Sequence, residues 1–180
     1  MYGMINNALQ DLVNQRLGED AWLRLAAAVG VEDGIFVSLE TYPDDMTYAL
    51  VNRVARALGL SVEAFLLEFG RHWIAYAKRT AYGPLLEGSH NFSEALAGLD
   101  TMHKIIQRTL PRVKTPSFQF IRLPTGGRLR YVSSRSGLAP FAVGLLYGLA
   151  EMHGIKLTIE HTIPRAPSTD FDEFELQFQP

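Results

Sequence analysis

Apolar residues in the first part of the chain recur at three- and four-residue spacing, which is typical of helices with one buried face. Gly30 and Gly59 follow two of these stretches, at the place where glycine commonly ends a helix. Pro111 is expected to end another, because the residue before a proline is pushed out of helical geometry. The spacing predicts helices over residues 4–17, 19–29, 43–58, 62–80 and 92–110.

The pattern changes after Pro116, where apolar and polar residues begin to alternate as they do in strands. Pro124–Gly127 is expected to form the turn of a hairpin. The order of helices first, then strand, strand, helix, strand, strand, predicts an α+β fold. It has an N-terminal helical lobe and a C-terminal four-stranded antiparallel sheet with helices. The predicted strands cover residues 117–123, 128–134, 155–163 and 171–178, and the late helix covers 138–152.

The length of 180 residues predicts a single domain, with a helical part at about 1–112 and a sheet-containing part at about 113–180. Hydrophobic residues make up 47% of the chain, which is enough for a core and an apolar ligand cavity. A formal net charge of −2 gives no reason to expect nucleic acid or an anionic membrane as a partner. No apolar stretch approaches the ~20 residues that span a bilayer, and no signal peptide is recognisable. We therefore expect a soluble, cytoplasmic protein.

The chain has no cysteine, which excludes disulfides, thiolate nucleophiles and cysteine-ligated zinc, iron–sulfur or haem centres. It also lacks a phosphate-binding glycine loop, a His-Glu-x-x-His pair and a Gly-x-Ser-x-Gly elbow. The acidic residues Asp170, Asp172, Glu173 and Glu175 lack the spacing of a calcium loop and are expected to form a solvated strand face. These observations favour a binding or sensor protein over an enzyme.

His103 lies inside the apolar stripe of the predicted helix 92–110. A histidine in such a position is more often a core residue with its hydrogen bonds satisfied than a metal ligand, so both interpretations stay open at this point. Trp73 also faces inward, on the helix 62–80, and on periodicity alone it is a core residue.

Tyr131, Ser133 and Arg135 occupy alternate positions of the second predicted strand, which would point all three side chains to one face. Together they offer a phenol, a hydroxyl and a guanidinium, and arginine binds carboxylates through two parallel N–H bonds. The trio therefore suits a carboxylate or phosphate ligand. The alternative is a polar strand face that points to solvent.

These pieces combine into one ligand hypothesis. An apolar cavity with a single histidine and a carboxylate-binding rim suits an apolar macrocycle that carries iron and two carboxylate tails. That description fits haem b, iron protoporphyrin IX, with histidine as the only side-chain ligand of the iron. The expected walls of the cavity are Ile5, Leu9, Trp73, Phe141 and Leu145.

Over essentially its whole length the chain resembles the haem–nitric oxide/oxygen-binding (H-NOX) family, which includes the haem domain of soluble guanylate cyclase. The Tyr-x-Ser-x-Arg motif with a histidine upstream is highly specific for this family. The matching segments are Met1–Gly3, Phe69–Trp73, Leu99–His103, Thr115–Phe118, Tyr131–Arg135, Gly137–Pro140 and Gly144–Leu146.

The resemblance implies a role for each candidate residue. His103 matches the proximal iron ligand, and Pro116 matches the proline that presses on the haem and bends it. The trio Tyr131, Ser133 and Arg135 matches the residues that hold the haem propionates. The positions that match the surroundings of the haem and its distal side are Ile5, Leu9, Trp73, Phe141 and Leu145.

The resemblance also bears on which gas is bound. Oxygen-binding members carry a distal tyrosine that donates a hydrogen bond to bound oxygen, and Phe141 falls at that position when Gly144 and Leu145 are aligned. Neither Phe141 nor Pro140 has a side-chain donor. We therefore expect nitric oxide and carbon monoxide to bind ferrous iron while oxygen is largely excluded. The alternative is an oxygen sensor that uses the Trp73 indole as its donor.

The family resemblance implies signalling by contact, in which nitric oxide causes release of His103 and relaxation of the haem against Pro116. The implied partner is a histidine kinase or a cyclic-di-nucleotide enzyme, such as a diguanylate cyclase or phosphodiesterase. Two other hypotheses compete with that of a haem sensor. One is a non-haem binding module for an apolar carboxylated ligand such as a fatty acid. The other is a haem peroxidase, for which Phe141 and Leu145 supply no distal acid–base pair.

Overall fold

The structure is a computed structural model that describes residues 1–110, 112 and 114–179. Within these residues the chain forms seven helices and one four-stranded sheet. The helices are α1 (Gly3–Leu17), α2 (Glu19–Ala27), α3 (Asp44–Ala57), α4 (Val62–Lys78), α5 (Gly83–Glu87), α6 (Phe92–Thr109) and α7 (Ala139–Met152). The strands are β1 (Ser117–Leu123), β2 (Gly126–Val132), β3 (Thr158–Ile163) and β4 (Phe171–Gln177).

The N-terminal lobe packs the buried faces of α1 to α4 around one hydrophobic core. Phe65 and Phe69 stack one turn apart on α4, with ring centroids 5.9 Å apart. Trp22 of α2 is buried, and its indole N–H donates to the Gly34 carbonyl at 2.8 Å. That bond satisfies the donor of a large ring that is otherwise surrounded by apolar groups.

The C-terminal lobe is an antiparallel sheet with strand order β1-β2-β4-β3. Its inner face carries Leu129, Phe174 and Leu176, which form a second core with Leu146 and Leu149 of α7. Helices thus cover one face of an antiparallel sheet, which confirms the predicted α+β fold.

Helices α4 and α7 join the two lobes, and they approach so closely that glycine is required where they cross. A Cβ atom at Gly144 would lie 2.1 Å from the Leu67 carbonyl oxygen, and one at Gly70 would lie 2.3 Å from the Phe141 carbonyl oxygen. Both hypothetical contacts are with backbone, which cannot move aside cheaply. The two glycines therefore set the distance between the lobes, and with it the shape of the space beside the crossing.

The second strand begins earlier than predicted and ends earlier. The hairpin turn consists of Pro124 and Thr125, and the two glycines after them belong to β2. Gly126 has φ of +131°, and a Cβ there would lie 1.9 Å from the Leu176 carbonyl oxygen. Close packing against β4, rather than a wide turn, explains the glycine. The third strand starts at Thr158, so the predicted residues 155–157 lie outside it.

Some helix boundaries also differ from the sequence prediction. The short helix α5 lies outside the helices that the spacing predicted, and proline is well tolerated in its first turn. The side chain of Asn91 caps α6 by accepting a 2.9 Å hydrogen bond from the Glu94 N–H. Pro111, expected to end that helix, lies outside the described residues.

The sequence suggested that the acidic residues at β4 form a solvated face, which is wrong for two of the four. Asp170 is exposed and Glu175 is half-buried, but Asp172 and Glu173 are buried. Asp172 and Glu173 are 7% and 5% exposed, and as neighbours on a strand they point to opposite faces of the sheet. Asp172 lies 2.9 Å from Nε2 of His161, and Glu173 accepts a 2.8 Å hydrogen bond from Nε of Arg130. Each buried charge has a partner, which is the condition under which carboxylates are found inside proteins.

No helix within the described part of the chain combines the length and the apolar character that a membrane crossing requires.

Candidate functional site

A large apolar cavity lies where the two lobes meet. It has about 930 Å³ of empty space, part of it open to solvent, and is walled by residues of α1, α4, α6, α7, β1 and β2. A second space of about 710 Å³ adjoins it and shares Trp73, Tyr82, His103 and Leu145 among its walls. Both spaces are lined mainly by apolar side chains with a few polar groups among them, as cofactor and small-molecule sites usually are.

His103 enters the cavity from α6 with a defined orientation. Its Nδ1 lies 2.8 Å from the Leu99 carbonyl oxygen one turn earlier on the helix. Because a carbonyl only accepts, Nδ1 carries the hydrogen, and Nε2 is left with a lone pair. The ring packs on Phe118 with centroids 5.0 Å apart. This is the arrangement in which protein imidazoles bind a metal, with the second nitrogen held by a carbonyl.

Burial lowers the pKa of His103 below its ordinary value and outweighs the hydrogen bond to Leu99, which acts in the opposite direction. The imidazole is therefore neutral at physiological pH, as a metal ligand must be. One neutral imidazole in an apolar cavity suits a metal whose other ligands come from the group that carries it.

The trio Tyr131, Ser133 and Arg135 lines the same cavity at its rim. The sequence prediction placed all three on one strand face, and that detail is wrong because β2 ends at Val132. Ser133 and Arg135 follow the strand in irregular backbone, where the Arg135 N–H donates to Ser133 Oγ at 3.1 Å. The side chains meet because the chain bends back after the strand.

Arg135 is held by the helical lobe as well as by its own loop. Its Nε and Nη2 donate to the carboxylate of Asp44 at 2.8 and 3.1 Å, and its Nη1 donates to the Lys114 carbonyl at 2.9 Å. A guanidinium has five N–H groups, so two remain for a ligand. Burial raises the pKa of Asp44, but hydrogen bonds from Arg135 and the N-terminal ammonium lower it overall.

Most of the other predicted site residues also reach the cavity. Ile5, Trp73, Pro116, Phe141 and Leu145 are all wall residues. Leu9 is the exception, because it is fully buried in the core of the helical lobe and does not line either space. Leu9 shares a helix face with Ile5 but lies one turn further along α1, where the core of the lobe surrounds it.

Sequence reasoning missed three wall residues that matter for the chemistry. Phe118 packs against His103, and Tyr2 and Tyr82 bring phenol groups to the cavity. Burial raises the pKa of Tyr82, so its hydroxyl stays protonated at neutral pH. Alternation along β1 signalled that Phe118 faces inward, but Tyr82 stands in a Tyr-Gly-Pro stretch without periodicity and carried no such signal.

The residues present fit a haem: apolar walls for a macrocycle, one imidazole lone pair for its iron, and free guanidinium N–H groups for its carboxylates. Fold and site together define a two-lobed binding module with an apolar cavity between its lobes. A family model described as Haem-NO-binding (HNOB) matches residues 2–161. The chain belongs to this family of H-NOX domains, which are haem-based gas-sensor modules related to the haem domain of soluble guanylate cyclase.

Similar proteins agree with this assignment. Soluble guanylate cyclase 89Da of Drosophila melanogaster is 25% identical over 160 residues, which cover 87% of this chain and 24% of that protein. This chain thus spans about a quarter of the length of that relative. A mutant H-NOX protein from S. oneidensis in the Fe(II) ligation state superposes with a TM-score of 0.92 at 24% identity, over 100% of this chain and 97% of the other. An H-NOX protein from S. oneidensis in the Fe(II)NO state gives 0.90 at 24% identity and full coverage of both.

Proposed function

We propose that this chain is a single-domain cytoplasmic sensor of nitric oxide and carbon monoxide. It binds haem b between its helical part, at about 1–112, and its sheet-containing part, at about 113–180. The observation that carries the proposal is the bond between Nδ1 of His103 and the Leu99 carbonyl inside an apolar cavity. That bond leaves Nε2 as the one side-chain ligand of the iron.

The haem would supply the gas-binding iron, and the chain's own residues do the rest. Tyr131, Ser133 and Arg135 bind the propionates, with Arg135 using the two N–H groups that Asp44 and Lys114 leave free. The apolar walls exclude water from the site, and Pro116 presses on the macrocycle. The wall residues in these two roles are Ile5, Trp73, Pro116, Phe141 and Leu145.

Selection of nitric oxide over oxygen is part of the proposal. Bound oxygen carries partial negative charge and needs a hydrogen-bond donor, whereas nitric oxide needs one much less. Phe141 has no donor and packs on Phe69, with ring centroids 5.2 Å apart. A missing hydrogen bond of this kind costs about 1–3 kcal/mol, or roughly a ten- to hundred-fold loss of affinity. Oxygen is therefore largely excluded.

An oxygen sensor is the second candidate, and one observation favours it. Trp73 and Tyr82 both line the cavity and both carry a polar hydrogen. Either would reverse the selectivity if it reached the bound gas. Exposure of the ferrous protein to air decides between the two candidates, since a stable oxygen complex overturns the exclusion of oxygen.

We further propose that the signal is the release of His103, which frees α6 to shift against the sheet and is accompanied by relaxation at Pro116. The helix is tied to β1 next to that proline, because Asp100 accepts hydrogen bonds from the Ser117 hydroxyl and the Phe118 N–H. A partner that contacts α6 differently in the two states would read the change. A histidine kinase or a diguanylate cyclase or phosphodiesterase is the partner that we propose, with neither nucleic acid nor membrane involved.

The first test is the visible absorbance spectrum of the ferrous protein with and without nitric oxide. A haem band that shifts on addition of the gas is expected. Failure to take up haem would favour a binding module for another apolar carboxylated ligand. Turnover with peroxide would instead support the peroxidase hypothesis.

Replacing His103 with glycine tests the ligand assignment. His103→Gly should bind haem weakly in the absence of added base and regain a five-coordinate spectrum with imidazole. His90→Gly is the control, because His90 is exposed and outside the cavity walls. A His103→Gly protein that keeps the wild-type spectrum would contradict the assignment.

A further inference from the structure

The backbone that carries the propionate-binding side chains needs support from outside the strand. Residues 133–136, which we name the carboxylate loop, follow the end of β2 and have no ladder partner in the sheet. Ladder hydrogen bonds therefore do not fix the direction of the Ser133 and Arg135 side chains. Within the loop, the bond from the Arg135 N–H to Ser133 Oγ gives only local order.

Arg165 supports this loop from a different part of the chain. It belongs to the segment between β3 and β4, and its Nη1 donates to the Ser133 carbonyl at 2.5 Å and to the Arg135 carbonyl at 3.3 Å. One guanidinium nitrogen thus bridges the two residues whose side chains face the cavity rim. Charged donors make stronger hydrogen bonds to carbonyls than neutral ones do.

Arg165 itself is anchored from the sheet. Its N–H donates to Oδ1 of Asp172 at 3.0 Å, and Asp172 is a 7% exposed residue of β4. Its segment is closed by a pair of hydrogen bonds between Ala166 and Thr169, at 3.1 and 2.9 Å. Arg165, which bridges to the carboxylate loop, is therefore itself held in place by hydrogen bonds.

We propose that Arg165 is a positioning residue for haem binding, which acts by holding the Ser133 and Arg135 carbonyls so that both side chains point to the propionates. This inference rests on the proposed function. Arg165 is an exposed residue, so its replacement removes hydrogen bonds without opening a cavity in the core. The support should act on ligands with carboxylates, because these are the groups that the trio is proposed to bind.

The experiment measures how fast the haem-loaded protein releases haem to an excess of apomyoglobin. Arg165→Met should release haem about five- to ten-fold faster than wild type, as expected for the loss of two hydrogen bonds that order the site. Arg165→Lys should recover part of the loss, since an ammonium reaches one carbonyl. Arg53→Met, at an exposed position of α3, is the matched control and should behave as wild type.

The dimethyl ester of iron protoporphyrin IX separates positioning from general loosening. Arg165→Met should release the diester no faster than wild type does, because the ester has no carboxylates for the trio to hold. In haem-free protein, hydrogen exchange at the Arg135 amide should also speed up.

Two results would overturn the inference. One is release of haem at the wild-type rate by Arg165→Met when Arg135→Met releases it faster, and the other is equal acceleration for haem and diester. A wild-type chain that takes up no haem would instead overturn the proposed function.

Discussion

At the scale of single residues, the surroundings decide what each side chain does. His103 is an unremarkable helix residue by sequence, but the Leu99 carbonyl fixes its tautomer and burial keeps it neutral. Arg135 is shared between Asp44 and the cavity rim, so it links the helical lobe to the carboxylate loop. Asp44 lies 91 residues from Arg135 in the chain, and the burial of His103 depends on the whole fold, so a local pattern contains neither.

The lowered pKa of His103 makes the haem-free protein less stable in acid. The unfolded chain protonates this histidine near its ordinary pKa of about 6.5, whereas the folded protein resists protonation. Stability is therefore present above that pH and is lost as the pH falls towards the folded pKa. Denaturant unfolding between pH 7.5 and 5.5 should show a shallower loss for His103→Gln, by at most about 1.4 kcal/mol per pH unit.

His72→Gln is the comparison variant for that titration. Burial also lowers the pKa of His72, which faces Asp11, Arg79 and Glu68, so its replacement should remove a separate part of the slope. A slope that is unchanged in His103→Gln would show that this imidazole titrates alike in both states.

Phe141 is the residue at which gas selectivity should change. Phe141→Tyr adds a phenol O–H to a cavity wall, and the ferrous protein should then hold oxygen about ten- to a hundred-fold more tightly. Oxygen titration of the ferrous protein measures the affinity, and Phe141→Leu, which adds no donor, should stay near wild type. Equal affinity in both variants would show that residue 141 does not face the gas.

At the scale of elements, close contacts between helices and strands hold the elements in their relative positions. The ends of most helices followed from local chemistry, as at the Asn91 cap of α6. The start of β2 did not, because it depends on Gly126 packing against the Leu176 carbonyl of another strand. The sequence also missed the end of β2 at Val132, so the trio was expected on one strand face although only Tyr131 lies in the strand.

Asp100 is the main tie between α6 and β1. It accepts bonds from the Ser117 hydroxyl at 2.9 Å and the Phe118 N–H at 3.1 Å, and Lys104 pairs with its other oxygen at 2.7 Å. Asp100→Ala should lower the free energy of unfolding by about 1–3 kcal/mol because it leaves two donors without an acceptor. The measurement is urea unfolding of the haem-free protein.

Lys104→Met is the matched variant for that test. It removes only an exposed i, i+4 ion pair, so it should cost less than about 0.5 kcal/mol. If Asp100→Ala and Lys104→Met destabilise the protein equally, the hydrogen bonds from β1 to Asp100 contribute nothing to the free energy of unfolding.

At the scale of the whole molecule, the crossing of α4 and α7 holds the lobes at the distance that leaves the cavity open. Gly144→Ala would place a methyl group 2.1 Å from the Leu67 carbonyl oxygen. The lobes would have to separate, with an expected loss of about 1–3 kcal/mol of stability. Thermal unfolding measures the loss, and haem release should accelerate together with it.

Gly98→Ala controls for the general effect of alanine in a helix. A Cβ at Gly98, on α6, meets nothing within 4 Å, so this change should stabilise the protein by about 0.5–1 kcal/mol. A stabilising Gly144→Ala would contradict the proposed role of the crossing.

The sequence alone determined the α+β order of elements, the inward position of His103 and the grouping of the polar side chains of Tyr131, Ser133 and Arg135. These are consequences of spacing and side-chain chemistry, which are local. Tertiary structure alone decided that Leu9 belongs to the core, that Asp172 and Glu173 are buried with partners, and that Tyr82 faces the cavity. Each of those depends on what packs against a residue from a distant part of the chain, and periodicity holds no information about that neighbour.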